Sequence, residues 1–217
     1  MTESAKRLRI GISGSYGGMN LGDEAILDGI LNQLRATVTA DITVFSRNPS
    51  DTLARHKTEH VVAVRQLTRR EIIPEVQQLD LLILGGGGIL YDQDAETYLR
   101  EVFLAQEFGI PVMIYAVSAG PLTKPTARQS VQAALNASAL ITVRDRQGYR
   151  LLEDVGVTRE IHLTADPALL LQPEQLPLEA VKSEGVQFDR HLVGFSVREP
   201  RPAAPDIDPL GRLTGSW

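Results

Sequence analysis

Cysteine is absent from all 217 residues. Disulfides, thiolate metal sites and cysteine nucleophiles are therefore excluded together. Long apolar runs are absent too, since none approaches the roughly 18 residues that a membrane-spanning helix needs. The opening residues, MTESAKRLRIGIS, hold no apolar core of signal-peptide length. On these grounds the chain is expected to be soluble and cytoplasmic, with no transmembrane segment. Blocks of basic residues are missing and the net charge is −5, so no nucleic-acid partner is expected. A net acidic chain still accommodates a local cationic pocket, which leaves an anionic substrate open. The histidines, His56, His60, His162 and His191, are scattered without metal-ligand spacing. His60 and His162 fall inside predicted strands and read as structural.

What is present is a rhythm. Hydrophobic residues are 43% and charged residues 23% of the chain, which fits a soluble globular protein. The stretch 79–92, LDLLILGGGGILYD, is its centre. An apolar run without alternation reads as a strand buried on both faces, here 79–84, with Gly85, Gly86, Gly87 and Gly88 at its C-terminal end, where glycine allows positive φ and the close approach of another molecule; a tight strand-to-helix turn with no ligand is the alternative. Around it, strands are predicted at 7–13, 41–45, 60–64, 112–117, 139–143 and 161–164. Helices are predicted at 23–37, 48–55, 68–78, 96–108, 126–137 and 146–154. Thr68 and Glu71 have the spacing of a capping box, and Pro74 weakens the helix that they open. Strands alternating with helices imply a doubly wound, mostly parallel, Rossmann-like α/β sheet. The expected organisation is an α/β domain over 1–171 and a partly helical connector over 172–190. The residues 191–217 read as the start of a truncated second domain, with a strand at 191–197 and a proline-rich tail.

In open α/β sheets ligands sit outside the C-terminal strand ends, and five such ends carry chemistry-bearing residues. Tyr16, Asn20 and Asp23 follow the first strand. Gly86, Gly87, Gly88, Tyr91 and Asp92 follow the fourth. Ser118 and Gly120 follow the fifth, Arg144 and Asp145 the sixth, and Asp166 the seventh. The loop 14–22 holds glycines at 14, 17, 18 and 22 but fits neither the dinucleotide nor the nucleoside-triphosphate fingerprint. Its helix N-terminus is still suited to an anion. Asp23 there is either a helix cap or a base. Arg144, directly after an apolar strand, is suited to bidentate binding of phosphate or carboxylate. Asp145 reads as a cap for the next helix, and Asp166 as a turn residue or a substrate contact. Ser118 lacks the G-x-S-x-G elbow, which disfavours an α/β-hydrolase.

Five pieces in order, GSYGGMNLGDEAIL (14–27), LGGGGILYD (84–92), YAVSAGP (115–121), ITVRD (141–145) and TADPA (164–168), resemble the polysaccharide pyruvyl transferase family. VGFSVR (193–198) resembles the onset of the family's second domain. The resemblance implies two Rossmann-like domains in a GT-B-like pair with the site between them. It implies transfer of a pyruvyl group from phosphoenolpyruvate to two hydroxyls of a surface-polysaccharide sugar, as a cyclic ketal. Asp23 would stand near the acceptor hydroxyls and Arg144 would hold the donor's anionic groups. Phosphoenolpyruvate is the donor substrate, the acceptor is a saccharide, free or lipid-linked, and no metal or organic cofactor is called for. The chain departs from the family in three places. The family's second domain, with its His and further basic residues, is largely missing after Val197. His191 does not match that His, and Gln147-Gly148 replaces the small polar residue that usually follows the Arg-Asp pair. Little transfer activity is therefore expected from residues 1–217 alone. A GT-B-like glycosyltransferase using a nucleotide sugar, and a non-catalytic one-domain interaction module, a homo-oligomer included, are the competing readings.

Overall fold

A computed structural model describes residues 7–172 and 177–194. Contacts divide the chain into two units, 1–172 and 173–217. In the first, strands β1 (Leu8–Ser13), β2 (Ala40–Ser46), β3 (His60–Ala63), β4 (Leu81–Leu90), β5 (Val112–Ala119), β6 (Leu140–Val143) and β7 (Ile161–Leu163) form one sheet. Their order is β3-β2-β1-β4-β5-β6-β7, and every neighbouring pair is parallel. The strand order reverses between β1 and β4, the position at which Rossmann-like sheets open a crevice.

The helices that join them are α1 (Leu21–Thr37), α2 (Pro49–His56), α3 (Arg69–Gln77), α4 (Ala95–Glu107), α5 (Pro125–Asn136) and α6 (Arg146–Val155), and a 3-10 turn, Pro167–Leu170, follows β7. Helix α3 starts at the predicted capping box, with Thr68 and Glu71 bonded reciprocally, and continues through Pro74. The core lies in two layers. The larger is built on Leu82, Leu84, Ile114, Val117 and Ile141 with Leu99, Val102, Val131 and Leu152 from the helices. The smaller packs Ile26, Leu27, Ile30 and Leu31 of α1 onto Ile10, Ile12, Ile42, Val44 and Ile83. A residue such as Leu82, with no exposed surface, contributes about 1.5–3 kcal/mol by its burial, and its truncation to alanine costs about 2–5 kcal/mol because the site cannot fully collapse.

Three expectations change. The glycine run is not a turn: β4 continues through Gly85–Gly88 to Leu90, because parallel pairing with β5 carries on through Gly88↔Ser118 to Leu90↔Ala119. Strand β5 correspondingly runs to Ala119. His60 and His162 are exposed, so neither is a core histidine; His56 is, with its side chain inaccessible to solvent. In the second unit, α7 (Leu178–Ser183) lies inside the predicted connector. Residues 191–194 carry no regular structure, and the rest of the predicted strand 191–197 and the tail lie outside the described residues. Among the described residues no helix is long and apolar enough to cross a membrane.

Candidate functional site

All seven strands point the same way, so the residues that follow them share one edge of the sheet. The edge is built around Asp23. Asn20 Oδ1 accepts the Gly22 N–H at 3.1 Å and caps α1, so the capping role that Asp23 was a candidate for is filled by its neighbour. The Asp23 carboxylate instead accepts from Asn20 Nδ2 at 3.0 Å, bonds the Ser15 hydroxyl and feels the Arg47 charge. Burial pushes its pKa above the ordinary carboxylate value against those three lowering influences, and the Glu24 charge adds to the rise.

The glycines of β4 divide by position. A β-carbon on Gly85 would strike the Tyr16 hydroxyl, and one on Gly86 would strike Ile26 Cγ2. Both glycines are buried and let α1 pack directly on the strand. Gly86 is therefore a packing glycine and not a ligand contact. Gly87 has φ +95°, and a β-carbon there would stand 3.2 Å from Asp23 Oδ1. Gly88 is exposed, with no atom within 4 Å of such a carbon. Gly87, itself buried, is thus the glycine that faces Asp23, and Gly88 beside it is the exposed one.

Further along the edge, Ser118 pairs with Gly88 in register and bonds the Asp145 carboxylate. Asp145 caps α6 through the Gly148 N–H at 2.6 Å. Burial alone would raise its pKa, but Ser118, the backbone N–H groups of Gly148 and Gln147 and the Arg144 charge together hold it below the usual range. Gly148 is required there, since a β-carbon would come within 3.0 Å of the Ala119 nitrogen. Arg144 is bonded to Asp166, Nη1 to Oδ2 at 2.5 Å, with both side chains about a quarter exposed (26% and 28%). Asp166 Oδ1 also caps the 3-10 turn at the Ala168 N–H. That turn docks on α1, where Gly29 leaves no room for a β-carbon beside the Pro167 carbonyl.

Three other candidates have structural duties. Tyr16 is 1% exposed, a core residue and not a surface contact. Burial first, then nearby carboxylates, push its ionisation far above the ordinary tyrosine value. The Tyr91 hydroxyl donates to Asp94 Oδ2 at 2.5 Å. Gly120, at φ +116°, donates its N–H to the Leu90 carbonyl and precedes a cis peptide bond to Pro121. Asp92 is occupied as well, accepting from the Thr123 and Lys124 N–H groups and the Thr123 hydroxyl.

Two groups escaped the sequence reading. One is a buried relay that holds the glycine loop. Glu24 Oε1 accepts the Gly17 N–H at 2.9 Å, Glu24 Oε2 lies 2.8 Å from His56 Nε2, and His56 Nδ1 lies 2.7 Å from Asp28 Oδ1. The other group is a pair of arginines. Arg47 Nη2 bonds the Ser15 hydroxyl at 3.0 Å and the Tyr98 hydroxyl, and Arg65 lies over the Tyr98 ring. The signal for both was present, since each directly follows a short apolar strand, as Arg144 does. Among the described residues no cluster of three His, Asp or Glu side chains is placed to hold a metal ion.

A family model for polysaccharide pyruvyl transferase matches residues 20–203, which includes Asp23, the glycine run, Arg144 and Asp166. No curated protein matches the chain. Among solved structures, a Listeria monocytogenes protein described as a UDP-N-acetylglucosamine 2-epimerase is 13% identical, with 81% of this chain and 51% of that chain covered and a TM-score of 0.48. The spinosyn rhamnosyltransferase SpnG is 14% identical, with 83% and 46% covered and a TM-score of 0.38. The UDP-N-acetylglucosamine 4-epimerase of Bacillus cereus is 14% identical, with 55% and 40% covered and a TM-score of 0.32. The matched region amounts to about half the length of these solved structures.

Proposed function

Because the chain belongs to the polysaccharide pyruvyl transferase family, we propose that its sheet edge serves the transfer of a pyruvyl group from phosphoenolpyruvate to two hydroxyls of a saccharide. The observation that carries this reading is the state of Asp23. It is a partly buried carboxylate, relieved of capping by Asn20, and it stands against Gly87, next to the exposed Gly88. A carboxylate so placed takes the proton of an acceptor hydroxyl.

The reaction balances as follows. A proton is added to the methylene carbon of phosphoenolpyruvate, and the first sugar oxygen bonds to the enol-phosphate carbon as its own proton leaves to the base, replacing the one that the methylene consumed. The bond from that carbon to the phosphate oxygen breaks. The second hydroxyl adds in its place, closes the ketal and gives its proton to the departing phosphate. Charge develops on phosphate and carboxylate throughout, and cations fixed beforehand lower the barrier by not having to reorganise. We assign that role to Arg144. Its guanidinium has five donors, of which Asp166 engages those on Nη1. Asp166 holds the fork in place and meets its charge until the donor arrives.

The test is phosphate release and ketal formation by the protein with phosphoenolpyruvate and a saccharide acceptor, and with the chain supplemented by the second α/β domain of a family member. Product dependent on both substrates and on Asp23 supports the reading. Phosphate release that is indifferent to Asp23→Asn overturns it.

A further inference from the structure

We propose that Arg47 and Arg65, gathered on Tyr98 beside Ser15, form a phosphate-binding subsite distinct from Arg144 that receives a phosphoryl group carried by the saccharide acceptor. The proposal rests on the reading of this edge as the transfer site and names a class of acceptor for it, a sugar bearing a phosphate.

Arg47 follows β2 directly and Arg65 stands two residues past β3, and they converge on one ring, with guanidinium carbons 5.8 Å and 5.1 Å from the Tyr98 centroid. Two like charges brought to one ring repel each other unless an anion joins them. The protein's own anions offset this charge only from a distance: Asp23 feels Arg47 and Glu101 feels Arg65, while their hydrogen bonds go elsewhere. Asp23 bonds Ser15 and Asn20. Glu101 is held by Arg100 at 2.7 Å and by the Ser13 hydroxyl at 3.1 Å, and Arg100 is itself anchored on the Val64 and Leu67 carbonyls. Arg65 is exposed, and the Arg47 Nε–H has no hydrogen-bond partner. Gly18 lets the loop close on this group, since a β-carbon there would stand 3.3 Å from Arg47 Nη1. Planar forks beside a hydroxyl suit phosphoryl oxygens, which accept several hydrogen bonds at once.

Position separates this group from Arg144. Between β2 and β6 lie β1, β4 and β5, four inter-strand spacings or about 19 Å, which is further than phosphoenolpyruvate reaches. The two cationic groups therefore start from backbone positions that one donor molecule does not span. Asp23 lies between them, against Gly87 of β4. The order along the edge is therefore acceptor phosphate at Arg47 and Arg65, acceptor hydroxyl at Asp23, and donor at Arg144.

Calorimetric titration of the full chain at fixed ionic strength tests this with three probes: inorganic phosphate, glucose 1-phosphate and phosphoenolpyruvate. Arg65→Ala is the first variant, chosen because the side chain is exposed; Arg47→Lys, which keeps the charge and removes the fork, is the second. Both are checked for an unchanged melting temperature. Glucose 1-phosphate affinity is expected to fall roughly tenfold or more in each variant, with phosphoenolpyruvate within twofold of the parent; Arg144→Ala is expected to give the reverse. Undiminished binding of glucose 1-phosphate and inorganic phosphate in both variants overturns the subsite. Loss of phosphoenolpyruvate binding alone overturns its assignment to the acceptor. Because binding is read without turnover, a failure of the transfer reading leaves this result separately legible.

Discussion

His56 lies within hydrogen-bond distance of two carboxylates on the same helix, Glu24 at 2.8 Å and Asp28 at 2.7 Å. Glu24 passes the connection on to the Gly17 N–H, so a histidine that ends α2 fixes a loop that precedes α1. His56→Ala leaves the buried Glu24 carboxylate without its partner, a loss of about 3 kcal/mol or more. Urea denaturation should show a lower midpoint. Hydrogen exchange should show faster exchange at residues 14–19 than at β6. An unchanged midpoint would disprove the relay.

Asp23→Asn is expected to cut transfer about 100-fold or more if the carboxylate is the base, and to leave stability unchanged or higher. The sign follows from linkage. A carboxyl whose pKa is raised by folding favours the native state in its protonated form, and that contribution is lost as pH rises from the unfolded pKa through the folded one. Denaturation midpoints against pH should therefore show the parent losing stability relative to the variant over that window. For activity, the parent's rate should rise with pH through the same raised pKa, and this limb should vanish in the variant.

Gly87→Ala introduces a β-carbon at φ +95° and 3.2 Å from Asp23 Oδ1. The backbone strain costs about 1–3 kcal/mol, and the carboxylate must move. Gly88→Ala, where nothing lies within 4 Å, is the matched control for stability. Thermal melts should separate the two. Equal melting temperatures would refute the proposed difference between the two glycines.

Arg144→Lys keeps a charge but loses the fork that meets Asp166. Phosphoenolpyruvate affinity should fall at least tenfold, a weakening of about 1.4 kcal/mol, because a point charge does not reproduce bidentate recognition. Arg146→Lys, at an exposed neighbour, should leave it unchanged. Comparable losses in both would make the Arg144 effect one of general electrostatics.

Much of this molecule was legible in one dimension. The seven strands, their parallel direction and the candidate edge follow from apolar runs separated by helical spacing. These patterns report which faces are buried, and burial is a local demand on each segment. The cap of α6 by Asp145 and the capping box of α3 were equally plain, because a cap bonds within its own turn.

Long-range contacts were another matter. The run Gly85–Gly88 looked like a loop because glycine is poor in isolated strands; pairing with β5 on one side and contact with Ile26 and Tyr16 on the other made it strand. Tyr16 and Gly86 looked like ligand contacts until α1 covered them. Arg47 and Arg65, about 20 residues apart in sequence and joined only through Tyr98, became a pair when α4 brought that ring to the ends of β2 and β3. The sequence by itself determined the sheet, its polarity and the edge where chemistry belongs, since each depends on hydrophobic periodicity within a segment. Tertiary structure alone decided which polar groups on that edge remain accessible, because accessibility depends on what residues distant in the chain place beside them.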